Sequence, residues 1–207
     1  MTGVQTCALP ISGVGESTTD RLHEAADAFR ASAEAFAHAG RPADRAIAQD
    51  NLGDLLLLIG QREQNTDRWI DAIAAYRSAQ TFWTRDRAAA DWAHAQSKIA
   101  DTFAEIGYQE IGTRSFDEAV VAYRQLLEVR TRQADPVAWS RTMSALGVAL
   151  AMGGERTTGN ERLDQAIEAH RAVLEERPRE RVPTLWAAST HNLAYALWRR
   201  GEQEKGT

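Results

Sequence analysis

The chain has 207 residues, 43% of them hydrophobic and 26% charged, and its 29 acidic and 24 basic side chains give a net charge of −5 at pH 7. This composition is typical of a folded protein, and without clustered basic and aromatic residues it does not favour a nucleic-acid partner. The longest apolar run covers only residues 55–59, which is too short to cross a bilayer, so we expect no membrane partner either.

Residues 1–12, MTGVQTCALPIS, carry no charge and differ in composition from everything that follows. They lack the basic start and the apolar run of a signal peptide. Read back into codons, residues 2–11 resemble a sequencing adapter translated in frame, so we interpret residues 1–12 as non-native and expect them to be disordered. The single cysteine, Cys7, lies in this segment. The rest of the chain has no thiol, which is compatible with the cytoplasmic location that we expect.

Residues 13–207 repeat with a period of 47. Such a repeat has to be settled before any local structure is assigned, because it determines the whole architecture. Five sets of in-phase positions keep the same or a closely related residue: Gly13, Gly60, Gly107, Gly154 and Gly201; Leu52, Ile99, Leu146 and Leu193; Trp92, Trp139 and Trp186; Arg30, Arg77, Arg124 and Arg171; and Ala25, Ala72, Ala119 and Ala166.

Each unit contains two segments whose apolar residues follow helical spacing, as Trp139, Met143, Leu146 and Leu150 do at i, i+4, i+7 and i+11. In-phase prolines are expected to begin the first helix of a unit, and the in-phase glycines are expected to end it. The predicted helices cover residues 18–38, 42–60, 66–86, 89–107, 114–132, 136–154, 160–177 and 183–200.

A helix pair that cannot bury its own apolar stripe has to stack on its neighbours, which predicts an all-α fold, an α-solenoid of antiparallel helix pairs. The register is interrupted at both ends of residues 13–207. Gly13 would close a helix that is missing, and the chain stops shortly after Gly201. We therefore expect an array truncated at both ends, with apolar surface that drives self-association.

The unit resembles the tetratricopeptide repeat. The matching segments are "NLG" at 51–53 and "ALG" at 145–147 in first helices, "FDEAVVAY" at 116–123 in a second helix, and Pro178 after a second helix. The usual unit has 34 residues, so this chain is similar to a longer bacterial variety, distantly like the repeats of kinesin light chains. The resemblance implies a concave surface, lined by first helices, that binds a protein or peptide.

The residues that the resemblance places on this groove change from acidic to aromatic and basic along the array. The acidic start disfavours the carboxylate clamp of chaperone-binding relatives. The predicted groove residues are Asp50, Asp54, Leu57, His94, Asp101, Glu105, Arg141, Val148, Met152, His191, Tyr195, Trp198 and Arg199.

Two functions remain open at this point. The first is a scaffold for protein–protein interaction that holds a peptide or a partner helix in the groove. The alternative is a sensing or substrate-presenting arm of a larger bacterial regulator or enzyme whose catalytic domain lies outside residues 1–207.

Motifs for catalysis, cofactors or metals are missing from the sequence, so we expect no enzyme activity, no cofactor and no metal site. His170 shares the register of Tyr76 and Tyr123 and is predicted to pack in the core, like the in-phase tryptophans. The in-phase arginines have two interpretations, a row of ligand-binding cations or structural partners of neighbouring units. The second is favoured, because second helices usually lie on the convex side of such arrays.

Overall fold

The computed structural model describes residues 18–205, which form α-helices joined by short turns, without a strand in that range. Residues 1–12, for which disorder was expected, lie outside the described residues. The helices are α1 (Thr18–His38), α2 (Pro42–Glu63), α3 (Thr66–Gln80), α4 (Ala89–Gln109), α5 (Arg114–Leu127), α6 (Pro136–Glu155), α7 (Glu161–Glu176) and α8 (Pro183–Lys205).

Each helix packs on the next one in the chain, as the all-α solenoid requires, and this prediction is confirmed. We call α2, α4, α6 and α8 the A helices, and α1, α3, α5 and α7 the B helices. The A helix α6 also contacts α4 and α8 directly, whereas among the described residues no two B helices approach as closely. The A helices are therefore closer to one another than the B helices are, which is the arrangement expected on the concave side of a solenoid. No described helix is long and apolar enough to span a membrane.

The starts of the helices agree with the sequence signals. Proline stands at the first position of α2, α6 and α8, where its missing N–H leaves no hydrogen bond unmade. Side chains cap two of the helices, since Asn65 accepts from the N–H of Asp67 at 3.0 Å and Asp135 accepts from the N–H of Ala138 at 2.8 Å.

Two predictions about helix ends are wrong. The in-phase glycines do not end the A helices, because α2, α4, α6 and α8 all continue beyond them. The helices α3 and α5 end at Gln80 and Leu127, earlier than expected. After α3 the chain holds threonine and aromatic residues of low helix propensity, and it turns so that Trp83 returns to the core at 9% exposure.

Glycines of the A helices, both in-phase ones and others such as Gly53, instead allow an A helix to approach the B helix that follows it. A Cβ atom on Gly53 would lie 2.6 Å from the ring of Tyr76, and one on Gly107 would lie 2.8 Å from the ring of Phe116. A Cβ on Gly154 would lie 3.0 Å from Leu163. Any larger residue would push these buried side chains away, so the spacing within each helix pair depends on glycine.

An arginine ladder connects successive units on the outside of the core. Each arginine lies over the face of the tryptophan that starts the next A helix, in a cation–π contact. Trp92 and Trp139 are buried as predicted, and Trp186 is half-buried. Arg85 also pairs with Glu128, and Arg132 with Glu175 at 3.0 Å. The stacked pairs, one repeat step apart, are Arg85 on Trp92, Arg132 on Trp139 and Arg179 on Trp186.

The glycine contacts predict that Gly107→Ala lowers the free energy of unfolding by about 1–3 kcal/mol, because Phe116 is fully buried and has no room to move. Urea denaturation followed by circular dichroism measures the change. Gly201→Ala is the matched control. Nothing lies within 4 Å of its added Cβ, so helix propensity should stabilise the chain by up to about 1 kcal/mol. Equal losses in both variants would contradict this account of the glycines.

Candidate functional site

All the predicted groove residues lie on the A helices. None of them is fully buried, so each has surface available to a partner. Those that are mostly exposed are Asp54, His94, Asp101, Glu105, Arg141, His191 and Trp198, and those that are half-buried are Asp50, Leu57, Val148, Met152, Tyr195 and Arg199.

Side chains on neighbouring A helices face one another at a sequence separation of 44, one turn less than the period. Lys98 Nζ donates to Asp54 Oδ1 at 2.8 Å across this separation. His94 Nε2 lies 3.8 Å from Asp50 Oδ2 in the same arrangement, one turn earlier. Arg199 Nε and Glu155 Oε1, 3.5 Å apart, repeat it between α6 and α8. The groove is therefore a surface of paired charges.

At its acidic end, formed by α2 and α4, tyrosines of B helices support the groove carboxylates from below. Tyr76 donates to Asp54 at 2.6 Å, and the in-phase Tyr123 donates to Asp101 at 2.7 Å. Burial acts to raise the pKa of Asp54, but hydrogen bonds from Lys98 and Tyr76 outweigh it, so this pKa is lowered. Desolvation dominates at Asp101 and raises its pKa.

Asp50 is the least satisfied carboxylate of the acidic end. Its side chain is only 16% exposed, and among the described residues its buried Oδ1 atom has no hydrogen-bond partner. Desolvation raises the pKa of Asp50, although the nearby His94 acts to lower it. A half-buried carboxylate oxygen without a donor favours a cationic or hydrogen-bonding ligand.

One atom each from Asp50, Asp54 and His94 come within 4.8 Å of one another, a set that could offer oxygen and nitrogen ligands to a divalent cation. No such set was predicted from the sequence, because spacing along one helix does not reveal ligands that come from two helices. Lys98 donates to Asp54 at this point and competes with any metal. The ammonium group gives the site the chemistry of a charge network rather than of a metal centre.

The opposite end of the groove, formed by α6 and α8, is aromatic and basic. The rings of Tyr195 and Trp198 meet edge to face with 6.0 Å between centroids, and Trp198 is 59% exposed. Arg199 lies over the Trp198 ring at 5.8 Å. Burial and a hydrogen bond to Glu155 raise the pKa of Tyr195 to about 12, so this phenol stays neutral. We call the part of the groove formed by Glu155, Tyr195, Trp198 and Arg199 the aromatic end.

The third tyrosine–aspartate pair of the series is replaced by His170 and Val148. His170 is fully buried against Gly147, and neither ring nitrogen has a hydrogen-bond partner among the described residues. The prediction that His170 packs in the core is confirmed. Desolvation, with a smaller effect of the Arg177 charge, lowers the pKa of His170 to about 4.

The in-phase arginines lie on the B helices, and three of them, Arg30, Arg77 and Arg124, make structural contacts. Arg30 pairs with Asp27 at 2.6 Å, Arg77 lies over Phe103, and Arg124 donates to Gln165 at 2.8 Å. These contacts favour the structural interpretation. Arg77 also borders an outer groove of about 560 Å³ between α3 and α5, whose lining residues include Ile70, Ile73, Phe103 and Ile106.

The fold defines a class of protein, an all-helical repeat array. Comparison with family models and with curated protein sequences finds no match for this chain.

The buried His170 predicts that acid destabilises the fold. An unfolded histidine titrates near its ordinary value of 6.5, so between 6.5 and about 4 the unfolded chain binds a proton that the folded chain does not. The free energy of unfolding should fall through this window by about 3 kcal/mol more in the native chain than in His170→Phe. Phenylalanine suits the site, because Phe29 occupies the same register.

Urea denaturation of both chains at several pH values measures this difference, and the comparison removes the contribution of the carboxylates that the two share. Parallel pH profiles for the native chain and His170→Phe would show that the pKa of His170 is the same in the folded and the unfolded chain, and would contradict the assignment.

Proposed function

We propose that this protein is a scaffold of the tetratricopeptide type, which binds a peptide or a partner helix along its inner groove. The repeat of antiparallel helix pairs supports this, and so does the placement of glycine under large B-helix side chains, as Gly53 lies under Tyr76. The observation that carries the proposal is the division of the groove into an acidic end and an aromatic end with basic residues.

The acidic end is suited to a basic segment of the partner. The carboxylates of Asp50, Asp54, Asp101 and Glu105 outnumber the single ammonium of Lys98, and Asp50 has an oxygen without a donor. A lysine or arginine of the partner would supply that donor and relieve the cost of desolvating Asp50. Charge complementarity of this kind fixes register and orientation more than it adds affinity.

The aromatic end is suited to an apolar anchor next to an acidic side chain. Trp198 exposes most of its ring, and half-buried Met152 and Val148 lie on the neighbouring A helix. Exposed tryptophan beside arginine is the composition of binding hot spots in protein interfaces. Arg141 is exposed and provides positive charge for an acidic residue of the partner, whereas Arg199 is already paired with Glu155 and Glu202.

Because the two ends of the groove differ in charge, we expect binding to depend on the order of the charges along a peptide more than on their number. The probe is a fluorescein-labelled peptide with a lysine block, a central leucine and tryptophan segment, and a glutamate block. Its control has the same composition with lysine and glutamate alternating. Fluorescence anisotropy at low salt should show that the block peptide binds about tenfold more tightly, and that salt weakens it.

Removing charge at the acidic end should abolish this preference. Asp50→Asn with Glu105→Gln leaves the tyrosine–aspartate pairs intact and should weaken the block peptide about five- to tenfold. The matched control is Asp27→Asn with Asp71→Asn, an equal loss of charge on the B helices α1 and α3. Equal weakening in the two double variants, or equal affinity for the two peptides, would contradict the proposed use of the groove.

Trp198 provides an independent prediction at the aromatic end. Because the ring is largely exposed, Trp198→Ala should change the free energy of unfolding by less than about 1 kcal/mol. The same substitution should weaken the block peptide about tenfold if the ring anchors the partner. Leu185→Ala is the control, an exposed apolar side chain on the same helix outside the predicted groove. Trp198→Ala with unchanged affinity would remove this residue from the site.

A further inference from the structure

The helix α8 is an A helix that no B helix follows within the described residues, and its outward face is uncovered. On α6 the in-phase Leu150 is 4% exposed because α7 covers it, whereas Leu197 on α8 is 44% exposed. Leu163 fills the space beside Gly154 on α6, whereas nothing lies within 4 Å of a Cβ added to the in-phase Gly201. The face of α8 therefore has the shape that accepts a B helix.

The helix α1 lacks the opposite neighbour. It is a B helix, and no A helix precedes it within the described residues. Its Leu22 and Phe29 are half-buried. The residues in phase with them on later B helices, Leu163 and Tyr123, are 0% and 3% exposed. Among residues 18–205, the side of α1 that would contact an A helix of its own unit is thus only partly covered.

We propose that copies of this chain associate head to tail, with α1 of one copy packed on α8 of another so that the repeat continues across the junction. The contact reproduces one already present within each copy, that of α7 on α6. The occupant of the α8 face is therefore a second copy of this chain, placed one repeat step beyond α7. This interface uses the ends of the array and is independent of the groove function.

The apolar register of the two faces agrees at two of the three glycine contacts on α6, those of Gly147 and Gly154, whereas at the third, where Arg162 meets Gly153, the second copy brings Arg21 to Arg200. Within one copy, Leu163 packs on Gly154. At the next repeat step, Leu22 of the second copy packs on Gly201, so the same pair of residue types meets again. One step beyond His170 on Gly147, the second copy places Phe29 on Ala194. Alanine is accommodated there, because Ala100 stands at the same step in α4 and is fully buried.

The charged residues agree as well. The arginine ladder reaches Arg179, which stacks on Trp186 but has no ion pair among the described residues. In the ladder Arg85 pairs with Glu128 and Arg132 with Glu175. The glutamate at the next repeat step, which would pair with Arg179, is Glu34 of the second copy. In the same way Arg124 donates to Gln165, and one step later Arg171 meets Glu24 of the second copy. Arg179, Glu34, Arg171 and Glu24 are all exposed within one copy, and head-to-tail packing pairs them.

The two faces differ, so the interface is heterologous and leaves a free α1 and a free α8 in every assembly. Such contacts extend into open chains unless the rotation closes a ring. The expected behaviour is a mean mass that rises continuously with concentration, without a plateau at the dimer.

Sedimentation velocity on the full chain, from low micromolar to several hundred micromolar, tests the proposal. Glu34→Arg and Arg179→Glu should each weaken association about fivefold, because each places like charges at the junction. An equimolar mixture of the two variants should recover the native association. Junctions between unlike variants then bring opposite charges together at positions 34 and 179, either as in the native chain or with the two charges exchanged. No interface elsewhere on the molecule predicts that recovery.

Gly201→Arg fills the hollow that accepts Leu22 and should abolish association while circular dichroism shows an unchanged helix content. Gly112→Arg is the matched control, because it makes the same change at an exposed glycine far from α1 and α8 and should associate like the native chain. The proposal is overturned by a native chain that stays monomeric throughout or stops at a dimer. It is also overturned if Gly201→Arg associates normally, or if the mixed charge variants fail to recover.

Discussion

The close approach of each A helix to the B helix that follows it is the contact on which the rest of the array depends. Glycine at this contact lets a buried ring or leucine lie directly on the A-helix backbone, as Phe116 does at Gly107 and Leu163 at Gly154. Because the same contact recurs at a step of 47 residues, we expect the helix pairs to have the same shape, and stacking equal shapes produces a regular array. The position of every groove side chain follows from that regularity.

The groove in turn is connected to the core through a few polar contacts. Asp54 accepts hydrogen bonds from Tyr76 on the following B helix and from Lys98 on the neighbouring A helix. Two different helix contacts therefore hold its carboxylate in place. Where the pair is replaced by His170 and Val148, the groove loses a carboxylate and the core gains an unsatisfied ring. The change from an acidic to an aromatic end is therefore a change in core residues as well as in surface residues.

Much of this fold could be predicted from the sequence, because a period of 47 without insertions fixes the number and order of the helices. The ends of α3 and α5 could not, since Trp83 and its neighbours leave the helix to fill a space that only the tertiary structure creates. The groove face was proposed from a resemblance to a known repeat, and it stays a prediction. The meetings of Asp50 with His94 and of Asp54 with Lys98 could not be predicted from the sequence. Those meetings depend on the relative shift of adjacent A helices, which appears in the sequence only as a separation of 44.

A crystal structure of the full chain is the measurement that tests the central claim most directly, because the claim concerns how one repeated contact generates both the array and its groove. The account predicts that the pairs α2–α3, α4–α5 and α6–α7 superpose after shifts of 47 residues, with Gly53 and Gly147 under the rings of Tyr76 and His170. It also predicts that Asp54 and Lys98 face one another on the inner surface. Helix pairs that do not superpose, or an inner surface lined by B helices, would contradict it.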